Sequence, residues 1–427
     1  MRKRILGMVM AGGKGTRLAP LTRDRAKPAV PFGGKYRIVD WVLSNFINSG
    51  IYSIYVLTQF KSQSLIDHLQ RGWGYNSMLK DHFIVPVPAQ MRTGETWYKG
   101  TADAIYQNLN LVRESRPHFV AVFGGDHIYR MDISQMVVFH NEMDADVTIA
   151  GITVPIEEAS SFGVMKVDQQ HRIVEFEEKP AKPSPMPGDP SRALVSMGNY
   201  IFSCRALIDA LERDAVDEKS SHDFGKDVLP RMLQRGLNVY CYNFEENVVP
   251  GETGRNTYWR DVGTIENYYS ANMDLRDIVP NFNLYNMQWP IRTIPYDLPP
   301  AKFVHDEENR RGTAIQSIVS EGCILSGGKV SGSILGRGVR VRSYSDIEDS
   351  ILFDAVEIGR NCKLKRVIID KNVKVPDGER IGFDRADDEK RFHVTESGIV
   401  VIAKQPRYDG ALGTLSMNMP ESTPSGR

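Results

Sequence analysis

Over residues 1–280, short apolar runs alternate with stretches whose apolar positions fall at helical spacing. Arg4 to Met10 reads as a buried strand that opens into Gly12-Gly13. Asp40 to Ser49 carries Trp41, Val42 and Phe46 on one helical face and stops at Gly50, a residue suited to a left-handed cap. Ser53 to Thr58 is the next strand, and Thr101 to Glu114 is predicted as one helix with Thr101 at its N-cap. The strand Phe119 to Phe123 ends in Gly124-Gly125-Asp126. A helix around Ile133 to Glu142 then leads into the strand Asp146 to Val154. Further strands are read at Ile173–Phe176 and Asn199–Phe202, and a helix at Asp223–Gln234. Such alternation predicts an α/β fold with a largely parallel sheet.

The pattern dissolves across 281–312, where Pro290, Pro295, Pro299 and Pro300 mark an irregular connector. From 313 to 404 its texture changes. Ile318, Ile324 and Val330 stand six apart, and Val339/Val341, Val356/Ile358 and Val373/Val375 follow as aliphatic pairs beside Gly or Asn. Aliphatic rungs about every six residues fit a hexapeptide β-helix, each coil burying its apolar side against the next. An antiparallel β-sandwich is the competing architecture. Residues 405–427 are polar and rich in Gly, Pro and Ser, and read as a flexible tail.

A chain of 427 residues with 41% hydrophobic positions can bury a large core, in two or three domains at roughly 150 residues each. Its 53 basic and 53 acidic residues cancel, which argues against a nucleic-acid-coating surface but not against a local phosphate site. The run Ile5–Ala11 is too short for a membrane span and lacks a signal cleavage site, so no membrane partner is expected. Cys204, Cys241, Cys323 and Cys362 form no CxxC pair, the usage of a reduced, cytoplasmic protein.

The segment Gly12 to Lys35 carries the most chemistry. Gly12, Gly13 and Gly15 follow a strand and let backbone N–H groups approach an anion. A Walker A loop is excluded, because Gly15 follows Lys14 and Met8 holds the earlier glycine position. A dinucleotide fingerprint is excluded by Leu18. Arg17, Arg25 and Lys27 then supply cations, and a donor turn with nearby cations is what a nucleoside triphosphate requires. Taken singly, each is an ordinary surface charge.

Asp126 ends a parallel strand, where α/β sheets bind ligands, and is a candidate for Mg²⁺. Asp261, in YWRDVGT, is the second candidate carboxylate. Alone, either would be read as a turn-former or cap. His127 has no second histidine at ligand spacing and is read as structural.

These residues resemble the sugar-nucleotide pyrophosphorylase superfamily and, within it, the bacterial glucose-1-phosphate adenylyltransferase (ADP-glucose pyrophosphorylase) family. The resemblance runs to about residue 404 through AGGKGTRL, RAKPAVPFGGKYR, LQRGW, PAQ, WYKGTADAIYQN, GGDHIY, FGVM, EEKP, SMGNYIF, SHDFGKD, YWRDVGT and PPAKFVHD. It implies a Rossmann-like nucleotidyltransferase domain followed by a left-handed parallel β-helix. The reaction implied converts ATP and α-D-glucose 1-phosphate to ADP-glucose and diphosphate, the committed step toward bacterial glycogen.

Roles follow from the same resemblance. Gly12, Gly13 and Gly15 would cradle the triphosphate, Arg17 would neutralise the leaving diphosphate, and Lys27 would hold phosphate at the reacting centre. Asp126 and Asp261 would chelate Mg²⁺, and Gln90 would read the adenine edge. Tyr98, Gly163, Glu178, Lys179 and Ser196 match the glucose-1-phosphate site. The alternative readings are a core tyrosine, a strand-start glycine, a solvated turn at Glu178-Lys179 and a capping serine.

The resemblance further implies a homotetramer regulated by anionic effectors, with Arg25 and Arg37 near the domain boundary. Asp24 departs from the activator-binding lysine of enteric relatives, which leaves the activator's identity open. Another nucleotide-sugar specificity (UDP, dTDP or GDP) remains a rival. A hexapeptide acyltransferase is less well supported, since the repeats contain no histidine between Ala314 and Arg391. A catalytically dead regulatory subunit would lose active-site charges, yet Arg17, Lys27, Asp126, Lys179 and Asp261 are all present.

Overall fold

A computed structural model describes residues 3–74, 81–90, 97–254 and 257–404. Its first sheet is built on β1 (Ile5–Met10), with α1 (Ile38–Asn48), β2 (Ser53–Thr58), α2 (Gln63–Gly72) and β3 (Phe83–Pro88) following. Two short helices, α3 (Thr101–Tyr106) and α4 (Leu109–Ser115), precede β4 (Phe119–Gly124) and the hairpin strand β5 (His127–Tyr129). The chain continues through α5 (Ile133–Glu142), β6 (Val147–Pro155), β7 (Gly163–Val167), β8 (Ile173–Glu178) and β9 (Arg192–Ser203). Helices α6 (Cys204–Ala215) and α7 (Leu229–Gln234), strands β10 (Val239–Asn243) and β11 (Trp259–Asp261), and α8 (Ile265–Asp274) complete the domain.

The main sheet runs β8-β7-β9-β4-β1-β2-β3, with β6 joining β9 to β10. Its centre is parallel: β1 pairs with β4 (Ile5 opposite Phe119) and with β2 (Gly7 opposite Ile54). Strand side chains alternate between faces. Val120 and Val122 therefore enter one apolar cluster, and Ala121 and Phe123 enter the other. Burial on both faces explains why these strands read as unbroken apolar runs. A Cβ on Gly7 would lie 2.9 Å from the Phe46 ring, so glycine is what lets α1 settle on β1.

Strand β9 is the departure from the parallel pattern. It has 12 residues where sequence spacing marks only Asn199–Phe202, and it runs antiparallel to both β4 and β6. Its register shifts between Ser196 and Tyr200, a bulge of the kind that re-aims side chains beside a site.

The helix predicted over 101–114 is two helices. The Asn108 side chain donates to the Ala104 carbonyl at 2.8 Å and to the Tyr98 hydroxyl at 2.9 Å, a local bond that competes with the helix ladder. Thr101 is not the cap either, since Gly100 takes that position. The segment after Asp223 likewise begins with a π-turn, Phe224–Val228, before α7.

The C-terminal domain is a β-helix with three parallel ladders. Leu325 lies beside Val341 and that beside Ile358; Val330 lies beside Ile347; Ile334 lies beside Ile351. The six-residue rungs are thus the sides of a coil of 16 or 17 residues. Ile324 is not a core rung, because it is half-buried while Leu325 points inward. The ladder begins at Lys302–Val304, which pairs with Ile324–Ser326 and falls within the stretch read from sequence as connector. Buried serines add their own ladder, Ser333 Oγ accepting from Ser350 N and Ser350 Oγ from Val367 N.

The two domains share one apolar cluster. Phe32, Trp41 and Tyr268 of the first pack with Ile351, Phe353 and Ile368 of the second. Among the described residues, no helix is long and apolar enough to cross a membrane. All four cysteines are free.

Candidate active site

The glycine turn leaves the carboxyl end of β1 and lines a cleft of about 530 Å³ together with Arg17, Lys27, Tyr98, Thr101 and Asp126. Gly15 has φ 61°, and a Cβ there would lie 3.0 Å from the Lys27 side chain. Glycine therefore serves both the left-handed turn and the close approach of the lysine.

Lys27 is the centre of the charge arrangement. Its Nζ donates to Asp126 and to Asp261, each at 3.0 Å. The two aspartates, 135 positions apart in sequence, meet because β5 and β11 pair antiparallel with Asp261 opposite His127. Burial acts to lower the Lys27 pKa, but the two carboxylates outweigh it and hold the ammonium above its ordinary value. Burial raises and Lys27 and His127 lower the Asp126 pKa, and the cations prevail, leaving it well below the usual carboxylate range. Arg17 closes the group, its NH2 lying 3.2 Å from the position of a Cβ on Gly263, where Asp261 is also in contact.

Asp126, His127 and Asp261 can bring one ligand atom each within 4.8 Å of one another. The two carboxylates are the hard oxygen donors that Mg²⁺ prefers, so the donor set fits that ion. His127, read from sequence as structural, stands 3.7 Å from Asp126 and 3.8 Å from Asp261.

A second cluster adjoins the cleft through Asp223. Its carboxylate accepts from Gly225 N (2.9 Å), Lys226 N (3.2 Å) and Thr101 Oγ1 (3.0 Å). Glu178 reaches the same turn: a Cβ on Gly225 would meet its Oε2 at 2.4 Å, and one on Gly163 would meet it at 2.9 Å. Gly225 is space left for this carboxylate, and Gly163 is space left for it and for the Phe176 ring, 2.6 Å from the same Cβ position. Burial raises the Glu178 pKa, partly opposed by Lys179, 3.3 Å away. Lys179 holds a left-handed backbone (φ 49°), an uncommon conformation for a lysine and one that recurs at functional sites. Ser196 sits within β9 rather than capping a helix, and its hydroxyl accepts from Gly198 N at 3.1 Å.

Gly12, Gly13, Gly15, Arg17, Lys27, Tyr98, Asp126 and Asp261 are thus brought together, with Gly163, Glu178, Lys179 and Ser196 alongside. Gln90 is not. It is exposed, bonds back to the Pro88 carbonyl at 3.0 Å, and does not line the cleft. Arg25 and Arg37 lie at the domain boundary instead. The sequence pattern gives Asp223 and Thr101 no site role, since Thr101 reads as an N-cap and Asp223 as the first residue of a helix; the signal is SHDFGKD itself, which carries more polar residues than a helix start needs.

A glycine turn facing a lysine held between two acids, at the carboxyl ends of parallel strands, is the architecture of a nucleotidyl transferase. The nucleotidyl transferase family profile matches residues 6–278, and the GlmU-like C-terminal hexapeptide profile matches 299–402. A glucose-1-phosphate adenylyltransferase of Thermus thermophilus is 56% identical over 409 residues, covering 95% of this chain and 99% of the relative. Those of an Anaeromyxobacter species and Deinococcus radiodurans are 55% and 52% identical, with the same coverage of both chains. The chain belongs to the glucose-1-phosphate adenylyltransferase family.

Proposed function

We propose that this enzyme joins ATP and α-D-glucose 1-phosphate to give ADP-glucose and diphosphate. A phosphate oxygen of the sugar phosphate attacks the α-phosphorus of ATP, forming the new P–O bond as the bond to the β-phosphate oxygen breaks. No covalent enzyme intermediate is needed, so catalysis rests on positioning and charge neutralisation. The backbone of Gly12, Gly13 and Gly15 holds the triphosphate, and Arg17 takes the charge that develops on the departing diphosphate. Lys27 turns from its carboxylates toward the reacting phosphates. Tyr98, Glu178, Lys179 and Ser196 hold the sugar phosphate: Lys179 pairs with its phosphate and Glu178 accepts from sugar hydroxyls, with Asp223 supporting the turn behind them. Gln90 is assigned to adenine on the resemblance alone.

Asp126 and Asp261 would hold Mg²⁺, which supplies charge neutralisation between the phosphates of the two substrates. The observation that carries the reading is Lys27 Nζ placed 3.0 Å from each of those two carboxylates, beside the glycine turn.

A place in glycogen synthesis, in the cytoplasm, follows from the same reading. So does control of a homotetramer by small anions, for which Arg25 and Arg37 are the proposed contacts. Asp24, exposed beside Arg23, adds negative charge where enteric relatives have a lysine. The test is diphosphate release from glucose 1-phosphate with ATP, UTP, dTTP and GTP supplied separately. Preference for ATP is expected; equal or better use of UTP would refute the assignment.

A further inference from the structure

One side of the cleft rests on a turn whose own support lies behind it. Residues 220–223 lie between α6 and the π-turn, and they meet the start of α3 twice. The His222 carbonyl accepts from Ala102 N (2.9 Å) and Asp103 N (3.3 Å), donors of the kind that the first turn of a helix leaves without intrahelical partners. The next residue, Asp223, takes Thr101 Oγ1 and the amides of Gly225 and Lys226. Gly100 makes room for this crossing, since a Cβ there would lie 2.2 Å from the His222 carbonyl oxygen. Tyr98, Gly100, Thr101 and Asp223 all line the cleft, and Glu178 packs against Gly225 on the same turn.

The turn is fastened by Asp214, a buried residue near the end of α6. Asp214 Oδ2 lies 2.9 Å from His222 Nδ1, and because a carboxylate oxygen accepts, that ring nitrogen carries the hydrogen. Asp214 Oδ1 accepts from Ser220 Oγ (2.6 Å) and Arg231 NH1 (2.9 Å). Ser220 Oγ accepts in turn from His222 N at 3.0 Å. His222 has φ 56°, a left-handed backbone that a non-glycine residue keeps where its surroundings impose it. Here the surroundings are one carboxylate that binds the His222 ring directly and its amide through Ser220.

We propose that Asp214 and His222 are a positioning pair for glucose 1-phosphate. Neither touches the substrate; their contact keeps the His222 carbonyl on α3 and the Asp223 carboxylate on Thr101, so that Tyr98 and Glu178 keep their spacing around the sugar phosphate. The inference rests on the glucose-1-phosphate reading above and extends it to two residues that act through the turn.

Steady-state kinetics of the full-length enzyme, with glucose 1-phosphate and ATP varied separately, test this. His222→Gly accepts the left-handed backbone but removes the ring, whereas His222→Asn accepts that backbone and keeps an N–H donor. His222→Gly should raise the KM for glucose 1-phosphate about two- to tenfold, the range of one hydrogen bond, with kcat and the KM for ATP nearly unchanged. His222→Asn should stay close to the unaltered enzyme. Asp214→Ala combined with His222→Gly should be no worse than Asp214→Ala alone, because both break one contact. An unchanged constant in His222→Gly, an equal defect in His222→Asn, a parallel rise in the KM for ATP, or multiplying effects in the double variant each overturns the pair. Should Asp214→Ala fail to fold, the two His222 variants decide. Lys179→Gln, assayed alongside, keeps the two readings apart: an unchanged KM for glucose 1-phosphate there refutes the sugar-phosphate reading, and a raised one leaves any failure with the pair.

Discussion

Lys27 and Lys179 show how differently two lysines of one site are held. Lys27 is almost wholly buried between carboxylates, whereas Lys179 has 60% of its side chain exposed, and among the described residues that side chain pairs with Glu178. Removing the charge of Lys179 should therefore weaken binding without disturbing the reacting centre. Lys179→Gln is expected to raise the KM for glucose 1-phosphate about ten- to a hundred-fold, a charged hydrogen bond's worth, with kcat nearly unchanged. A fall in kcat at constant KM would contradict that role. Asp126→Asn should abolish turnover, because it takes the negative charge from one of the two carboxylates proposed to hold Mg²⁺ and frees Lys27 from one counter-charge; near-normal activity with Mg²⁺ would take Asp126 out of the site.

His140 gives a pH signature unrelated to catalysis. It is fully buried between Thr148 (2.8 Å) and Ser203 (3.2 Å), and burial pushes its pKa down from 6.5 to about 4. Between those values the unfolded chain binds a proton that the folded chain refuses, so the contribution is present above 6.5 and lost as pH falls toward 4. The loss should reach about 2–3 kcal/mol by pH 4.5. Urea unfolding at pH 7 and pH 4.5 should show a smaller drop in His140→Gln than in the unaltered protein.

At the scale of elements, the site depends on helix starts that do more than start helices. Asp223 caps the π-turn and also ties it to Thr101 at the start of α3. Asp223→Ala should cost about 1–2 kcal/mol through the lost cap, read as a lower urea midpoint. Thr101→Val should reproduce part of that loss, since it removes the hydroxyl that joins the two elements. The helix split at Asn108 belongs to the same scale. Helical spacing over 101–114 is genuine in both halves, but a periodicity argument has no way to see that the Asn108 amide prefers Tyr98 and Ala104 to the helix ladder. Six-residue spacing in the β-helix was legible for the opposite reason: every coil repeats the same burial, so the pattern survives imperfect rungs. Its phase is not: six-residue spacing points to Ile324 as the inward residue, whereas Leu325 holds that place.

For the whole molecule, the cluster joining Trp41 and Tyr268 to Phe353 makes the domains one packed body along that face. Phe353 is 2% exposed, and Phe353→Ala should cost about 3–5 kcal/mol. Because the lost contacts belong to both domains, thermal unfolding should shift as one transition; an unchanged catalytic-domain transition would show that the domains melt independently.

The amino-acid sequence by itself determined the α/β-then-β-helix order, the phosphate turn and the identity of the charged residues, since apolar period and glycine placement are local properties of the chain. Only tertiary structure decided which charges meet. Asp126 and Asp261 share Lys27 because β5 pairs with β11, and Arg25 meets Asp370 because the β-helix folds back on the first domain. Those encounters depend on strand order and domain packing, which bring residues together across separations that no local pattern of side chains encodes.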